Sequence, residues 1–142
     1  MYVKVVDGHI INYPYPLRNL YVDNPNTSFP KDIPEAMLND YNVYAVADTA
    51  IPNYDAVTQG VEENNPVLTD GVWTRSWSVY NKTEAKASAA VKDKRNGLLA
   101  ETDYLALSDQ TLSTEMSNYR QALRDIPAQS GFPYSVTWPT KP

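Results

Sequence analysis

Hydrophobic and polar positions alternate with a period of two over the first part of the chain and take a helical period afterwards. Tyr2-Val3-Lys4-Val5-Val6 and His9-Ile10-Ile11-Asn12-Tyr13 flank Asp7-Gly8. Asp-Gly between two apolar runs predicts a β-hairpin, because both central positions of a type I′ turn need φ above zero. Tyr13-Pro14-Tyr15-Pro16-Leu17 stops the ladder, since each proline removes a donor. Asn24 to Pro30 reads as a loop. A short helix starts at Pro34-Glu35-Ala36-Met37-Leu38, with Asp32 as its cap and Pro34 in the first turn. Val43 to Ala47 and Ala56 to Val61 read as strands, and Asn64-Asn65-Pro66 as a turn. Thr69-Asp70-Gly71 turns the chain again into Val72–Tyr80. There Trp73, Trp77 and Val79 share one face at period two, with Arg75 between them. The rings are expected in the core of a small sheet, and a sugar-binding aromatic platform is the alternative.

Beyond Tyr80 the period changes. Asn81 or Thr83 can cap a helix over Lys82 to Asn96, in which alanine and Val91 are the only apolar residues. Such a helix has good propensity and little apolar area, so it reads as a connector or a stalk packing on copies of itself. Gly97 is expected to weaken or end it. Leu112, Met116, Tyr119, Leu123 and Ile126 are then spaced 4, 3, 4 and 3. That is a narrow apolar stripe on a helix from about Thr111 to Ile126, with Arg120 and Arg124 toward its C-terminal end and Pro127 closing it. Leu98 to Ile126 therefore reads as a helical hairpin turning at Ser108-Asp109-Gln110. Ala128 to Pro142 reads as an extended tail with Phe132, Tyr134, Val136 and Trp138 on one face. Docking of this tail on the Leu112 stripe is expected, with a partner groove as the alternative.

The pattern predicts an α+β fold. A small antiparallel β-rich domain spans 1–80, an Ala-rich connecting helix 81–97, and a helical hairpin with an extended Pro-rich tail 98–142. Composition sharpens this division. Eight of the eleven tyrosines and seven of the eleven prolines precede residue 81. Residues 1–80 carry a net charge of −6 and residues 81–142 carry +1. Leu, Ile, Val and Phe make up only 21% of the 142 residues, so tyrosine, tryptophan or a partner must supply apolar area.

Chemistry is sparse. There is no cysteine and His9 is the single histidine, which excludes thiol chemistry, disulfides and a multi-histidine metal site. The five glycines are scattered and form no phosphate-cradling loop. Glu62-Glu63 reads as a solvated loop pair. No catalytic, metal or cofactor residues are expected, and none of the motifs calls for a cofactor. A net charge of −5 disfavours nucleic acid. No apolar run is long enough to span a membrane, and the N-terminus does not read as a signal peptide.

Several blocks together resemble the phage tail assembly chaperone family. They are Asn118-Tyr119-Arg120-Gln121-Ala122-Leu123-Arg124-Asp125-Ile126-Pro127, then Gly131-Phe132-Pro133 and Trp138-Pro139. Arg95 to Tyr104 resembles the family's preceding block, with Tyr104 where the family pattern has tryptophan. The likeness runs from Lys94 to Pro142. Tyr13-Pro14-Tyr15, Asn24-Pro25, Ser28-Phe29-Pro30 and Gly71-Val72-Trp73 with Trp77 are similar to a domain joined to such segments in phage proteins.

The resemblance implies a non-enzymatic protein that binds phage tail or tail-fibre subunits during assembly in the host cytoplasm. A permanent adaptor retained in the virion tail, baseplate or fibre is the alternative, and a carbohydrate- or receptor-binding module a further one. The residues expected to meet the partner are Leu112, Met116, Tyr119, Arg120, Leu123, Arg124, Trp138 and Pro139. Self-association through the 82–96 helix is a further expectation.

Overall fold

The computed structural model describes residues 1–107 and 109–142. It is α+β, and its sheet is mixed rather than antiparallel throughout. The chain divides into two compact units, one of residues Met1–Pro52 with Val61–Ser78, the other of Asn53–Gly60 with Val79–Pro142.

The first unit is built on strands β1 (Tyr2–Val6), β2 (His9–Asn12) and β3 (Val43–Ala47), with most of β4 (Gln59–Thr69) and β5 (Val72–Asn81). Their order is β2-β1-β3-β5-β4. The hairpin at Asp7-Gly8 forms as expected, with φ of 51° and 77°. Its register shifts between Lys4 and Val5, which pair with Asn12 and Ile10, so Ile11 is the extra residue of a bulge. β1 also pairs antiparallel with β3, but β3 pairs parallel with β5 through Val46↔Trp73 and Ala47↔Thr74. β5, not β4, is the strand that lies beside β3. No local pattern specifies that choice.

Asn64-Asn65-Pro66, expected to turn, runs straight within the eleven-residue β4. β4 is the last strand in the order, and an edge strand tolerates a proline because one side of it needs no ladder donor. The Asp70-Gly71 turn does form, with φ of 50° and 79°. Two short helices complete this unit. α1 (Arg18–Asp23) was not foreseen between its flanking Pro-rich segments, and it buries Leu20 completely. α2 (Glu35–Asp40) begins where expected, but Pro34 rather than Asp32 occupies the cap, and no side chain caps the helix.

Leu20, Leu38, Tyr15 and Val43 form one core cluster, with Tyr2, Phe29 and Tyr41 packed against it. Phe29 meets Tyr21 and Tyr41 edge-on, at centroid separations of 5.3 and 5.1 Å. Tyrosine thus supplies apolar area that the few aliphatic residues leave short. Tyr15 O–H donates to Asp23 at 2.9 Å, and Asp23 also pairs with Lys4. These bonds hold the Asp23 carboxyl below its usual range, the Lys4 bond contributing most. On the other face of the sheet, Val3, Val5 and Val46 are buried beneath Ile10, Tyr13, Tyr44 and Trp73.

Arg75 organises that second face. Its guanidinium forks onto Glu63 at 2.8 and 2.7 Å, reaches Asp48 at 3.2 Å, and lies 4.5 Å from the Trp77 ring centre. Tyr13 donates to the same Glu63 carboxylate. Trp77 Nε1–H donates to Thr49 Oγ1 at 3.0 Å, and Thr49 passes its own hydrogen to the Arg75 carbonyl at 2.8 Å. The alternation of Trp73, Arg75 and Trp77 is therefore real. The Trp77 ring carries a guanidinium, and its N–H is already bonded.

Helices α3 (Glu84–Ala100) and α4 (Thr114–Arg124) belong to the second unit. The Thr83 side chain caps α3 through the Lys86 N–H. Gly97, expected to end the helix, lies inside it, and the helix continues through Leu98-Leu99-Ala100. A single glycine costs about 1 kcal/mol against alanine, too little to stop a helix whose last turn packs. The first arm of the expected hairpin is therefore the end of α3 followed by a 3₁₀ turn at Asp103–Ala106. Of the turn expected at 108–110, Ser108 lies outside the described residues. No helix among the described residues is long and apolar enough to cross a membrane.

Candidate partner-binding site

Ala87 and Val91, one turn apart on α3, are both buried. Val91 meets Tyr119 and Leu123 of α4 and Ile126 beyond it, and Leu98, Leu99 and Met116 pack around them. α4 starts later than its stripe suggested. Ser113 caps it by accepting from the Met116 N–H at 3.1 Å, which leaves Leu112 outside the helix and exposed. The stripe is thus shortened to Met116, Tyr119, Leu123 and Ile126, and Ile126 lies in a 3₁₀ turn (Ile126–Ala128) containing Pro127.

Arg120 is buried, although its position near the end of α4 suggested a surface cation suited to the helix dipole. Its Nη1 donates to the Leu99 carbonyl at 2.9 Å and to Thr102 Oγ1, and its Nη2 to Asp103 at 2.8 Å. Thr102 is also buried and donates to the same Leu99 carbonyl at 3.0 Å. The Leu99 carbonyl also accepts from the Thr102 backbone N–H at 3.1 Å, so the guanidinium is a further donor there, and it ties the C-terminal end of α3 to α4. Arg124, one turn on, is exposed.

The tail returns over this core. It is not extended from Ala128 onward. The chain turns through Gly131–Ser135, with Ser135 N–H donating to the Gly131 carbonyl at 2.6 Å, and becomes extended only from Val136. The alternation expected over 132–138 is nevertheless partly kept in space. Phe132, Val136 and Trp138 pack on the helical cluster, while Tyr134 is exposed and donates to the Lys82 carbonyl at 2.7 Å. Gln129 clamps the end of the tail, accepting from Thr137 N–H at 2.8 Å and donating to Thr137 O at 2.9 Å. Lys94 of α3 lies 4.3 Å from the Trp138 ring centre. Self-docking of the tail on its own helices, the leading expectation, is what forms. Gln129 was missed because an eight-residue side-chain bridge leaves no periodic trace.

A cavity of about 290 Å³ remains between the tail and α3, lined by Val91, Lys94, Pro133, Val136, Trp138 and the 55–58 segment. Asp55, which also lines it, caps the segment locally, accepting from Val57 N–H at 3.0 Å and from Thr58 Oγ1 at 2.8 Å. Those two bonds, with the charges of Lys94 and Lys82, hold its carboxyl below the usual range.

Of the residues expected to meet a partner, Tyr119, Arg120 and Leu123 are buried in this unit. Met116, Trp138 and Pro139 are half-buried, and Leu112 and Arg124 are exposed. The segment before α4 adds two that sequence reasoning passed over. Tyr104 and Leu107 are each 59% exposed, against 39% for Leu112. Their exposure could not be read from composition, because leucine and tyrosine at such spacing equally suit a buried hairpin arm. Among the described residues no group of three or more His, Asp or Glu side chains could hold a metal ion.

No curated protein and no solved structure matches this chain. Residues 88–142, which include most of α3, all of α4 and the returning tail, match the family model described as phage tail assembly chaperone protein, and residues 1–87 lie outside that match.

Proposed function

We propose that this protein assists the assembly of a phage tail, acting in the host cytoplasm by binding a tail or tail-fibre subunit and not by catalysis. The observation that carries the reading is the match of residues 88–142 to the tail assembly chaperone family. The same segment leaves three large apolar side chains outward within nine residues, Tyr104, Leu107 and Leu112. Large apolar groups exposed close together in a chain with a thin core suit contact with another protein. Tail subunits polymerise through apolar surfaces and strand edges, and an assembly factor covers such a surface until it is used. Tyr119 and Leu123 support the reading indirectly, by fixing the scaffold that presents Leu112, Arg124 and Pro139.

The test is co-production of the full chain with each tail and tail-fibre subunit of its phage. The wild-type chain is expected to form a soluble complex with one of them. Replacement of Tyr104, Leu107 and Leu112 by serine is expected to abolish that complex while the helical content is unchanged. Complexes unaffected by the triple replacement would remove this surface from the proposal. Quantitative mass spectrometry of purified particles separates the transient role from the adaptor role. Stoichiometric copies in the particle would overturn the transient one.

A further inference from the structure

We infer that the open face of the first unit's sheet ends in a docking pocket for a basic segment of a partner protein, which inserts a lysine or arginine side chain. α1 and α2 cover one face of this sheet through Leu20 and Leu38. The cluster on the opposite face consists of strand residues and Tyr13 only, and its outer members Tyr44 and Trp73 stay half-buried. At one end of that face lies a cavity of about 340 Å³, walled by Val5, Tyr44, Leu68 and Trp73 and closed by the Asp7-Gly8 turn and Gly71.

The charge of this pocket decides its occupant. Asp7 lines it and Asp70 adjoins the lining Gly71, whereas no lysine or arginine lines it. Neither aspartate is in an ion pair among the described residues. The nearby strand cations are engaged elsewhere, Lys4 on Asp23 and Arg75 on Glu63 and Asp48. The unit as a whole has nine acidic and four basic side chains. A cationic side chain with an aliphatic stem complements both features. Its stem lies on aromatic and leucine walls, and its head meets Asp7.

The pocket is also preformed. Both turns that frame it hold their two central residues at positive φ, and the His9 ring Nδ1 lies 2.9 Å from the Asp7 carbonyl. Little ordering is then required on binding. Because the pocket lies outside residues 88–142, it stands or falls independently of the tail-assembly reading.

The test titrates the full-length chain with a blocked pentapeptide of alternating leucine and arginine, and with the same peptide carrying glutamate for arginine. The Trp73 indole resonance, assigned through Trp73→Phe, is followed. The arginine peptide is expected to shift that resonance, and its affinity is expected to fall about tenfold between 0.05 and 0.5 M salt. A chain with Asp7→Asn and Leu68→Ser is expected to bind it about tenfold more weakly. Asparagine tolerates the left-handed backbone at position 7 and Leu68 is exposed, so this variant keeps the fold. Equal response to the glutamate peptide, a silent Trp73 resonance, or full binding by the variant would each overturn the inference. A neutral oligosaccharide that shifts Trp73 where the arginine peptide does not would also overturn it, in favour of a sugar platform.

Discussion

The Lys94 ammonium lies over the face of Trp138, 4.3 Å from the ring centre, so the last aromatic residue of the chain is held by the third helix. Around this contact Phe132 and Val136 close the helical core of the second unit. The terminal segment is therefore part of that core.

Trp138→Ala is expected to destabilise the second unit by about 2 kcal/mol, roughly half the cost at a fully buried aromatic site. Lys94→Ala should cost about 0.5–1 kcal/mol, the range of a partly solvated cation–π contact. In urea unfolding followed by helical circular dichroism, the double replacement should cost less than the sum of the two. Strict additivity would show that the contact contributes nothing.

Arg120→Met is expected to cost about 1–3 kcal/mol, because the buried Thr102 Oγ1 loses the donor it accepts from and Asp103 loses its ion partner, while the Leu99 carbonyl keeps its bonds from Thr102. Arg120→Lys should recover little, since one ammonium cannot reach the Leu99 carbonyl, Thr102 and Asp103 with the geometry of the planar fork. A lysine variant as stable as wild type would mean that charge alone matters at this position.

The same glycine-to-alanine change should have opposite signs at two sites. At Gly97 a new Cβ meets nothing within 4 Å, so Gly97→Ala should stabilise α3 by about 0.5–1 kcal/mol. At Gly131 it would stand 2.1 Å from the Ser135 carbonyl oxygen, inside the turn that brings the tail back. Gly131→Ala should cost at least about 2 kcal/mol. Thermal melts of the two variants check both signs.

Acid should weaken the first unit through Glu63. Hydrogen bonds from Arg75, and then from Tyr13, lower its carboxyl from the ordinary 4.5 to about 2. A carboxyl depressed in the folded state contributes stability that is fully present above 4.5 and is lost as pH falls toward 2. Wild type should therefore be more stable than Glu63→Gln at pH 7, and the gap should narrow between pH 4.5 and 2. At the alkaline end, burial and the Glu63 carboxylate raise Tyr13 to about 12. That contribution is complete below pH 10 and is lost as pH rises toward 12. A constant gap between wild type and Glu63→Gln across the acid range would remove Glu63 from this account.

Local signals were legible at the two Asp-Gly pairs, where the backbone itself demanded the residue type, but not at Asn42, which also takes a positive φ of 61°. Asp7-Gly8 and Asp70-Gly71 take positive φ at both positions, and the hairpins they announce are present. Ser113 was not identified as the cap of α4, because Thr111 and Leu112 extend the stripe backward without a break. The strand expected over Ala56 to Val61 caught only the start of β4: residues 56–58 turn and the strand runs Gln59–Thr69. Its remainder was hidden by Asn64-Asn65-Pro66, which turn chains when nothing pairs with them and lie straight on a sheet edge.

The sequence by itself determined the α+β class, the two hairpin turns, the central part of both long helices, the thin aliphatic core and the family likeness of the C-terminal segment. These depend on backbone preference and on periodicity, which act between near neighbours. Tertiary structure alone decided that β5 runs parallel to β3, that Arg120 is buried beneath the end of α3, and that Gln129 clamps Thr137. It also left Tyr104, Leu107 and Leu112 outward while Tyr119 and Leu123 turned in. Each of these outcomes depends on where another segment comes to lie, whether distant in the chain or, for Gln129 and Thr137, eight residues on across a turn, and the periodic spacing of residues carries no record of that.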